Sequence, residues 1–270
     1  MPEDDARAAR QPFDGVPQVI ALAFVGHQPE AGQGGVAAAH RPYYSGTMQI
    51  IDAPVSQLRA IRDRITHAAQ LAGRDPRDIE LIAISKTQPA DAIRPLIDAG
   101  QRVFGENRVQ EAQAKWPGLS GDGSIRLHLV GQLQSNKAAE AVALFDAIHS
   151  VDRPSLIDAL ARAMEAGERR PDFFVQVNIG DEPQKGGCAI ADLPAILQRA
   201  RDAQLPVVGL MAVPPANVEA APYFALLAKL ARRHELAGLS MGMSTDFETA
   251  VMLGATHVRV GTALFGARVS

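Results

Sequence analysis

The 270-residue chain has little cysteine, few aromatic side chains and no excess of positive charge. Its one cysteine, Cys188, rules out an internal disulfide, so the fold does not depend on an oxidising compartment. The formal net charge is −3 and aromatic residues make up 5% of the chain. This composition disfavours nucleic acid and anionic membranes as partners.

Long apolar runs are also missing, since no stretch reaches the length of a membrane span. The segment nearest to a signal-peptide core is VPQVIALAFVG, residues 16–26, but the residues before it carry more acids than bases. That charge has the wrong sign for a secretory signal. We therefore expect a cytoplasmic protein.

The N-terminal 47 residues differ from the rest in being rich in Ala, Gly, Pro and Gln. Such a segment buries too little apolar surface to offset the entropy lost on ordering. We expect 1–47 to be either a flexible extension or a translated upstream stretch, and 48–270 to form the folded domain. A helix is predicted over 53–72, where Leu58 and Ile61 share one face.

From residue 79 onwards, short apolar or β-branched runs alternate with segments of helical spacing. Alternating strands and helices imply right-handed βαβ units and a parallel sheet. Eight such units predict an α/β fold, a single (β/α)8 TIM barrel. The alternative is a doubly wound open sheet, but its usual GxGxxG does not follow the first strand. The predicted strands are 79–85, 102–106, 126–130, 147–151, 173–179, 207–211, 239–242 and 257–261, and the helices between them are 89–99, 107–115, 135–145, 154–167, 190–203, 217–237 and 244–253.

Lys86 stands at the end of the first predicted strand, in LIAISKTQPADAI. Functional residues of a TIM barrel lie at the carboxyl ends of its strands. Side chains alternate along a strand, so Ile82, Ile84 and Lys86 share one face, and an inward face puts the lysine at the barrel mouth. Partial desolvation there favours the neutral amine that a Schiff-base nucleophile needs. The alternative is a lysine that reaches solvent from a strand end.

Gly, Ser and Thr follow the last two predicted strands, in SMGMSTDFETA and RVGTALFG. Loops at these positions form the usual phosphate site of a TIM barrel. Gly242 would let the backbone approach a ligand, and Ser244 would cap the following helix. Gly261 and Thr262 would repeat this arrangement. Each feature is also explained by capping alone, but the two together indicate a phosphorylated ligand.

Arg259 lies two residues before Gly261 and is expected to point into the barrel with His257. A buried guanidinium needs a partner, which could be a carboxylate, a phosphate or a ring nitrogen. The alternative is a structural ion pair within the barrel. A Schiff-base lysine, a phosphate site and an arginine across the barrel together suggest pyridoxal 5′-phosphate (PLP). A Schiff-base aldolase acting on a sugar phosphate would share the first two features.

Longer motifs carry a resemblance to a known family. They include ISKTQPADAI (84–93), FGENRVQEAQAK (104–115), HLVGQLQSNK (128–137) and LSMGMSTDFETAVMLGATHVRVGTALFGAR (239–268). This combination is highly specific and resembles the pyridoxal phosphate homeostasis protein family. The similarity runs from about residue 52 to the C-terminus, whereas residues 1–47 have no counterpart in the family.

The resemblance implies a barrel like the N-terminal domain of alanine racemase, which is PLP fold type III. It implies a role in PLP homeostasis without established catalytic turnover, with PLP-dependent apoenzymes as candidate recipients and a monomer or weak dimer as the assembly. The implied cofactor contacts are a Schiff base on Lys86, phosphate contacts from Ser244, Gly261 and Thr262, Arg259 opposite the pyridine nitrogen, and Asn107 lining the pocket.

A PLP enzyme of the racemase type is the alternative, and two arguments disfavour it. Arg259 would oppose protonation of the ring nitrogen, because two positive charges would adjoin, and an unprotonated ring is a poorer electron sink. A racemase also needs a second acid/base, which in alanine racemase-like enzymes is a tyrosine from another domain. The chain ends just past the last barrel segment, and Tyr43, Tyr44 and Tyr223 lie away from predicted strand ends. We therefore expect no catalytic residue and no enzyme activity.

Four further residues have two interpretations each. Lys137 and Lys185 could bind anions or pass PLP on, although lysines on loops are usually just solvated. His128 and His149 could line the pocket, or they could be hydrogen-bonded core histidines.

KGG at 185–187 stands where the family has Lys-Ser-Gly or similar, which predicts a more flexible loop. No cluster has metal-ligand spacing, so no metal is expected.

Overall fold

A closed parallel barrel organises the molecule in a computed structural model, which describes residues 48–266 apart from 120 and 122. Eight strands pair in chain order, and the first shares four paired residues with the last. The predicted (β/α)8 barrel is therefore confirmed and the open-sheet alternative is wrong. The predicted extension 1–47 lies outside the described residues.

The elements follow the predicted alternation, and each predicted strand overlaps an observed one. The strands are β1 Glu80–Ile84, β2 Val103–Glu106, β3 Arg126–Leu129, β4 Ala147–Val151, β5 Asp172–Gln176, β6 Val207–Met211, β7 Gly238–Ser240 and β8 His257–Val260. The α-helices are α1 Met48–Leu71, α2 Ala90–Asp98, α3 Val109–Lys115, α4 Ala138–Leu144, α5 Pro154–Ala166, α6 Leu193–Asp202, α7 Ala221–Arg233, α8 Phe247–Met252 and α9 Thr262–Phe265.

The largest differences from prediction concern two element ends. The helix predicted over 217–237 spans only α7, because Pro222 fits the first turn of a helix and not its interior. The strand predicted over 173–179 ends at Gln176. The apolar pattern continues beyond it, but the regular pairing with a neighbouring strand stops. Val177 forms only an isolated bridge with Cys188.

Successive side chains of each strand divide between the barrel interior and the layer beneath the helices. On β5, Phe173 belongs to the outer hydrophobic layer. Its neighbour Phe174 stacks on His149 of β4, with ring centroids 4.2 Å apart. His149 also lies 5.9 Å from the ring of His257 on β8, across the barrel. The interior therefore holds polar rings beside its apolar ones.

The inward face of β1 leads to the barrel mouth. Gly105 of β2 leaves room for Ile82 and Ile84, because a Cβ at this position would lie 2.9 Å and 2.5 Å from their side chains. Ile84 reaches the cavity at the carboxyl ends of the strands, and Lys86 lines the same cavity. This is the direction that the alternation of side chains predicts.

None of the helices in the described part of the chain combines enough length with enough apolar character to cross a bilayer.

Candidate functional site

A cavity of about 480 Å³ lies at the carboxyl ends of the strands. Its volume falls within the range of small-molecule sites. Side chains from β8 and from the turns after β1, β2, β7 and β8 reach it. All six predicted site residues line this one cavity: Lys86, Asn107, Ser244, Arg259, Gly261 and Thr262. The fold thus brings them together, while their individual roles remain predictions.

Arg259 is buried at 5% exposure and is held by two uncharged acceptors. Its Nη1 donates to Ser240 Oγ at 2.7 Å and its Nη2 donates to the Ala212 carbonyl at 2.9 Å. No carboxylate of the described residues lies within ion-pair distance, so the structural ion pair is not formed there. Burial lowers the pKa of Arg259 to about 10, which leaves the guanidinium charged at neutral pH. Asp246 acts on this cation only from beyond ion-pair distance, so a further acceptor or anion in the cavity would be favourable.

Ser244 does not cap the helix after β7, so that prediction is wrong. Helix α8 begins at Phe247, and its N-cap residue is Asp246, whose side chain makes no capping bond to the helix. Asp246 Oδ1 instead accepts the Met243 N–H at 2.6 Å. The carboxylate closes a turn over 243–246, which delays the helix and leaves the Ser244 hydroxyl outside it.

The Ser244 hydroxyl joins the loops after β7 and β8. Its Oγ accepts the Gly261 N–H at 3.4 Å and the Ala263 N–H at 3.3 Å. Both bonds are longer than the usual 2.9–3.0 Å, so a stronger acceptor would gain from these amides. The hydroxyl and the two amides form a group of donors suited to an anionic oxygen.

Gly242 has a packing role, while its predicted contact with a ligand stays a prediction. Its φ of +90° lies in the region that favours glycine. A Cβ there would come within 2.5 Å of Ala250 Cβ and 3.0 Å of Phe247 Cα. Gly242 therefore allows α8 to pack closely against the end of β7, and it is not among the described residues lining the cavity.

A row of buried hydrogen bonds leads away from the cavity. Ser240 Oγ accepts from Arg259 and also forms a hydrogen bond with His149 Nδ1, 2.8 Å away. His149 Nε2 in turn forms a hydrogen bond with His128 Nδ1 at 3.1 Å. Both histidines are fully buried and neither lines the cavity of Lys86. They are hydrogen-bonded histidines of the barrel core, which was one of their two interpretations.

A second cavity of about 280 Å³ lies at the amino ends of the strands, beside His128 and His257. Glu80 Oε2 lies 3.4 Å from His257 Nε2 and 3.8 Å from His128 Nε2. Burial is the main cause that raises the pKa of Glu80 and lowers that of each histidine. Within the described ranges, no three His, Cys, Asp or Glu side chains are placed to hold a metal ion.

We expect the free energy of unfolding to fall as the pH drops from about 6.5 to about 4. Burial, followed by the charges of Arg126 and Arg259, lowers the pKa of His257 from 6.5 to about 4. Between these values the unfolded chain binds a proton that the folded barrel excludes, so the contribution of His257 is full above pH 6.5 and is lost progressively as the pH falls towards 4. At 1.36 kcal/mol per pKa unit, His257 accounts for roughly 3 kcal/mol at pH 4. Glu80, with its raised pKa, offsets part of the loss at the acid end.

Urea unfolding at a series of pH values measures this dependence. The variant His257→Gln keeps a polar side chain without a titrating ring, so its free energy of unfolding should change less steeply over the same range. Identical pH profiles for the variant and the wild type would contradict the assignment to His257.

The two additional lysines lie outside the cavity. Lys137 pairs with Glu140 at 2.9 Å on the surface. Lys185 pairs with Glu182 and donates to the Pro214 carbonyl at 3.0 Å. Neither is among the residues lining the cavity. The structure thus gives no support to the prediction that they hold or pass on PLP.

The KGG loop is fastened at both glycines. The Gly186 carbonyl accepts from Gln176 Nε2 at 3.0 Å, and the Gly187 N–H donates to Asp152 at 3.2 Å. A Cβ at Gly186 would lie 2.0 Å from Gln132 Nε2, so the glycine makes room for that side chain. The two hydrogen bonds tie the loop to Gln176 and Asp152, while its greater flexibility stays a prediction.

Two important residues, Ser240 and Glu106, were not predicted from the sequence. Ser240 orients Arg259, and its only signal is a hydroxyl at an inward position of a short apolar strand. Glu106 is completely buried and accepts bonds from Ser85, Lys115 and Trp116. Its signal was stronger, because a carboxylate inside a predicted buried strand requires partners.

The chain is similar to a known class of barrel, the N-terminal domain of alanine racemase. The family model for the alanine racemase N-terminal domain matches residues 56–269. Alanine racemase from Bacillus anthracis shares 18% identity with this chain at a TM-score of 0.55, over 79% of this chain and 57% of its own. At that identity the likeness shows the fold alone. Fold and cavity together define a barrel of the alanine racemase N-terminal class.

Closer similarities narrow the assignment. The pyridoxal phosphate homeostasis protein of Pseudomonas aeruginosa is 45% identical over 76% of this chain and 91% of its own length. That of Escherichia coli K12 is 40% identical over 78% and 95%. PipY of Synechococcus elongatus, whose structure has PLP bound, is 41% identical at a TM-score of 0.68, over 79% of this chain and 100% of its own. The chain belongs to the pyridoxal phosphate homeostasis protein family.

Proposed function

We propose that this chain binds PLP covalently through Lys86 and serves PLP homeostasis without catalytic turnover. One observation carries the proposal: an amine, a group of hydrogen-bond donors suited to a phosphate, and a buried guanidinium bonded to two uncharged acceptors line the same cavity. Relatives named for PLP homeostasis, and a relative whose structure has PLP bound, support it.

The amine of Lys86 supplies the covalent anchor. When bound, PLP brings an aldehyde whose oxygen leaves as water while its carbon forms a double bond to a neutral primary amine. The half-buried Lys86 side chain lines the cavity together with the apolar side chains of Ile84, Val213 and Phe265. Partial desolvation beside such surfaces would favour the neutral amine.

The phosphate group would be held at the β7–β8 side of the cavity. Ser244 can turn its hydroxyl towards an anion, and this releases the amides of Gly261 and Ala263 for the same oxygen atoms. Thr262 lines the cavity beside them and adds a second hydroxyl. The absence of a side chain at Gly261 matters as well, because a Cβ there would lie 3.2 Å from Ile84 Cβ.

Arg259 would face the pyridine nitrogen and keep it unprotonated. Its guanidinium is fixed from behind by Ser240 and Ala212, so it cannot withdraw from the cavity without losing both bonds. A fixed positive charge disfavours a second one beside it. This arrangement suits retention of the cofactor better than the stabilisation of a carbanion.

A racemase-like activity needs a second acid/base opposite Lys86. The tyrosine that the described residues include, Tyr223, lies on α7 and does not line the cavity. Asn107, at the end of β2, is a neutral amide and cannot serve as a proton acceptor of this kind. The lining therefore favours binding over turnover.

The proposal extends to the setting in which the protein acts. We propose that it works in the cytoplasm as a monomer or weak dimer and delivers PLP to apoenzymes. A single cysteine, which forms no disulfide within the chain, fits a reducing compartment. Cys188 is buried, and burial is the main cause that raises its pKa to about 12.

A spectrum of the purified protein, followed by reductive trapping, tests the proposed function. PLP added to the protein should produce a yellow absorbance band, and borohydride should then fix one PLP per chain on Lys86, as read by peptide mass. Incubation with L-alanine in deuterated water should give no α-proton exchange above that of free PLP. Attachment elsewhere would overturn the assignment, rapid exchange would favour a racemase, and a colourless protein would favour the sugar-phosphate aldolase.

A further inference from the structure

The turn that carries Lys86 has an unusual backbone. The Gln88 N–H donates to the Ser85 carbonyl at 3.0 Å, so Lys86 and Thr87 are the two central residues of a β-turn. Thr87 has a φ of +63°. The third position of such a turn favours glycine when φ is positive, and a β-branched residue there is strained. Within the turn, the Thr87 hydroxyl donates to the Lys86 carbonyl at 2.6 Å, which leaves the Thr87 N–H to a partner outside the turn.

Glu111 of α3 makes the contact that holds this turn. Its Oε1 accepts the Thr87 N–H at 2.5 Å and also the Lys115 ammonium at 3.0 Å. Lys115 in turn donates to the Ser85 carbonyl at 2.8 Å. The residues on both sides of Lys86 are thus tied to α3, and Glu111 is the residue that reaches the strained position.

The charge of Glu111 is maintained at this site. Partial burial by itself would raise the pKa of its carboxyl, but the bonds from Thr87 and Lys115 lower it below the ordinary value. A charged acceptor makes a stronger bond to a backbone N–H than a neutral one. The side chain is 27% exposed, so it lies at the edge of the barrel core and not within it.

We propose that Glu111 is a positioning residue for Lys86. By accepting the Thr87 N–H it keeps the Ser85–Gln88 turn in its strained form, and this form directs the Lys86 amine into the cavity. The inference rests on the proposed function, since it concerns how readily Lys86 is placed for covalent attachment of PLP. It predicts that Glu111 affects attachment to the lysine and not the binding of the phosphate or the ring.

Two measurements separate placement of the amine from general binding. The first is the rate of appearance of the yellow band after addition of PLP. The second is the affinity for pyridoxamine 5′-phosphate, which has the same ring and phosphate but no aldehyde. Glu111→Ala should slow attachment by about tenfold, because release of a strained turn makes the productive conformer a minority. Its affinity for pyridoxamine 5′-phosphate should stay within about twofold of the wild type.

A conservative variant and a double variant test the cause. Glu111→Gln keeps the acceptor oxygen without the charge, so most of the attachment rate should return. Glycine adopts a positive φ without strain. In Thr87→Gly the turn therefore needs no support from Glu111. Adding Glu111→Ala to Thr87→Gly should slow attachment by less than twofold relative to Thr87→Gly alone. Equal effects of Glu111→Gln and Glu111→Ala would show that an acceptor oxygen at this position does not hold the turn, and would overturn the proposal.

The two proposals fail in distinguishable ways. If wild-type protein never acquires PLP on Lys86, the proposed function fails. If the wild type acquires it and Glu111→Ala attaches PLP at the same rate, only the positioning role fails. Equal loss of attachment and of pyridoxamine 5′-phosphate binding would also overturn it, because that outcome describes a damaged site and not a misplaced amine.

Discussion

Lys86→Ala will abolish covalent attachment of PLP while leaving the barrel folded. The alanine variant lacks the amine and so cannot form a carbon–nitrogen double bond to the aldehyde. Borohydride treatment followed by mass measurement should therefore detect no stable PLP adduct at this position. Lys86 lies in a turn at the barrel mouth and not in the packed core, so its loss should change the free energy of unfolding by less than about 1 kcal/mol.

Lys137→Ala is the matched control for this experiment. Lys137 is also a lysine on a loop after a strand, but it pairs with Glu140 and does not line the cavity. Its variant should keep the yellow band and the adduct on Lys86. Undiminished affinity and an unchanged spectrum in Lys86→Ala would show that another amine holds PLP, and the proposed anchor would be abandoned.

Glu106→Ala will destabilise the protein by about 3–5 kcal/mol, because the loss of one partner leaves a buried ion pair broken. Glu106 is fully buried on β2, and its Oε1 accepts bonds from Ser85 Oγ at 2.8 Å, Lys115 Nζ at 2.9 Å and Trp116 Nε1 at 3.0 Å. The substitution removes this shared acceptor and leaves the Lys115 ammonium, which is 10% exposed, without its most buried counter-charge. Urea unfolding would measure the change as a lower midpoint with a similar slope.

The double variant Glu106→Leu with Lys115→Met distinguishes the cost of removing one charge of the ion pair from the cost of removing both. Apolar residues of similar size at both positions remove the charges together, so the double variant should be more stable than Glu106→Ala alone. Glu106→Gln keeps one acceptor oxygen and should fall between the wild type and the alanine variant. A cost below about 1 kcal/mol for Glu106→Ala would show that the cluster contributes little to folding.

Much of the site could be predicted from the sequence, because the positions of these residues follow directly from the geometry of a barrel. Once the strands alternate with helices, the residue after the first strand must lie at the carboxyl-end mouth, and this applies to Lys86. The same reasoning brought the loops at Ser244 and Gly261 to one place. The predicted details were less accurate: Ser244 does not cap α8, and Gly242 serves packing. The capping pattern gave a wrong prediction there because the Asp246 carboxylate accepts the Met243 N–H, and the helix begins only after this turn.

The sequence by itself determined the alternating elements, the closed-barrel class and the family, since periodicity and motifs are properties of the chain order. Only the tertiary structure showed what lies behind the site. Glu111 meets Thr87 from 24 positions away, and Ser240 meets His149 across 91 positions. Pattern reasoning relates residues that are near in sequence, whereas these hydrogen bonds depend on how eight strands and their helices close in space. The contacts that hold Lys86 and Arg259 in place therefore emerge only from the folded barrel.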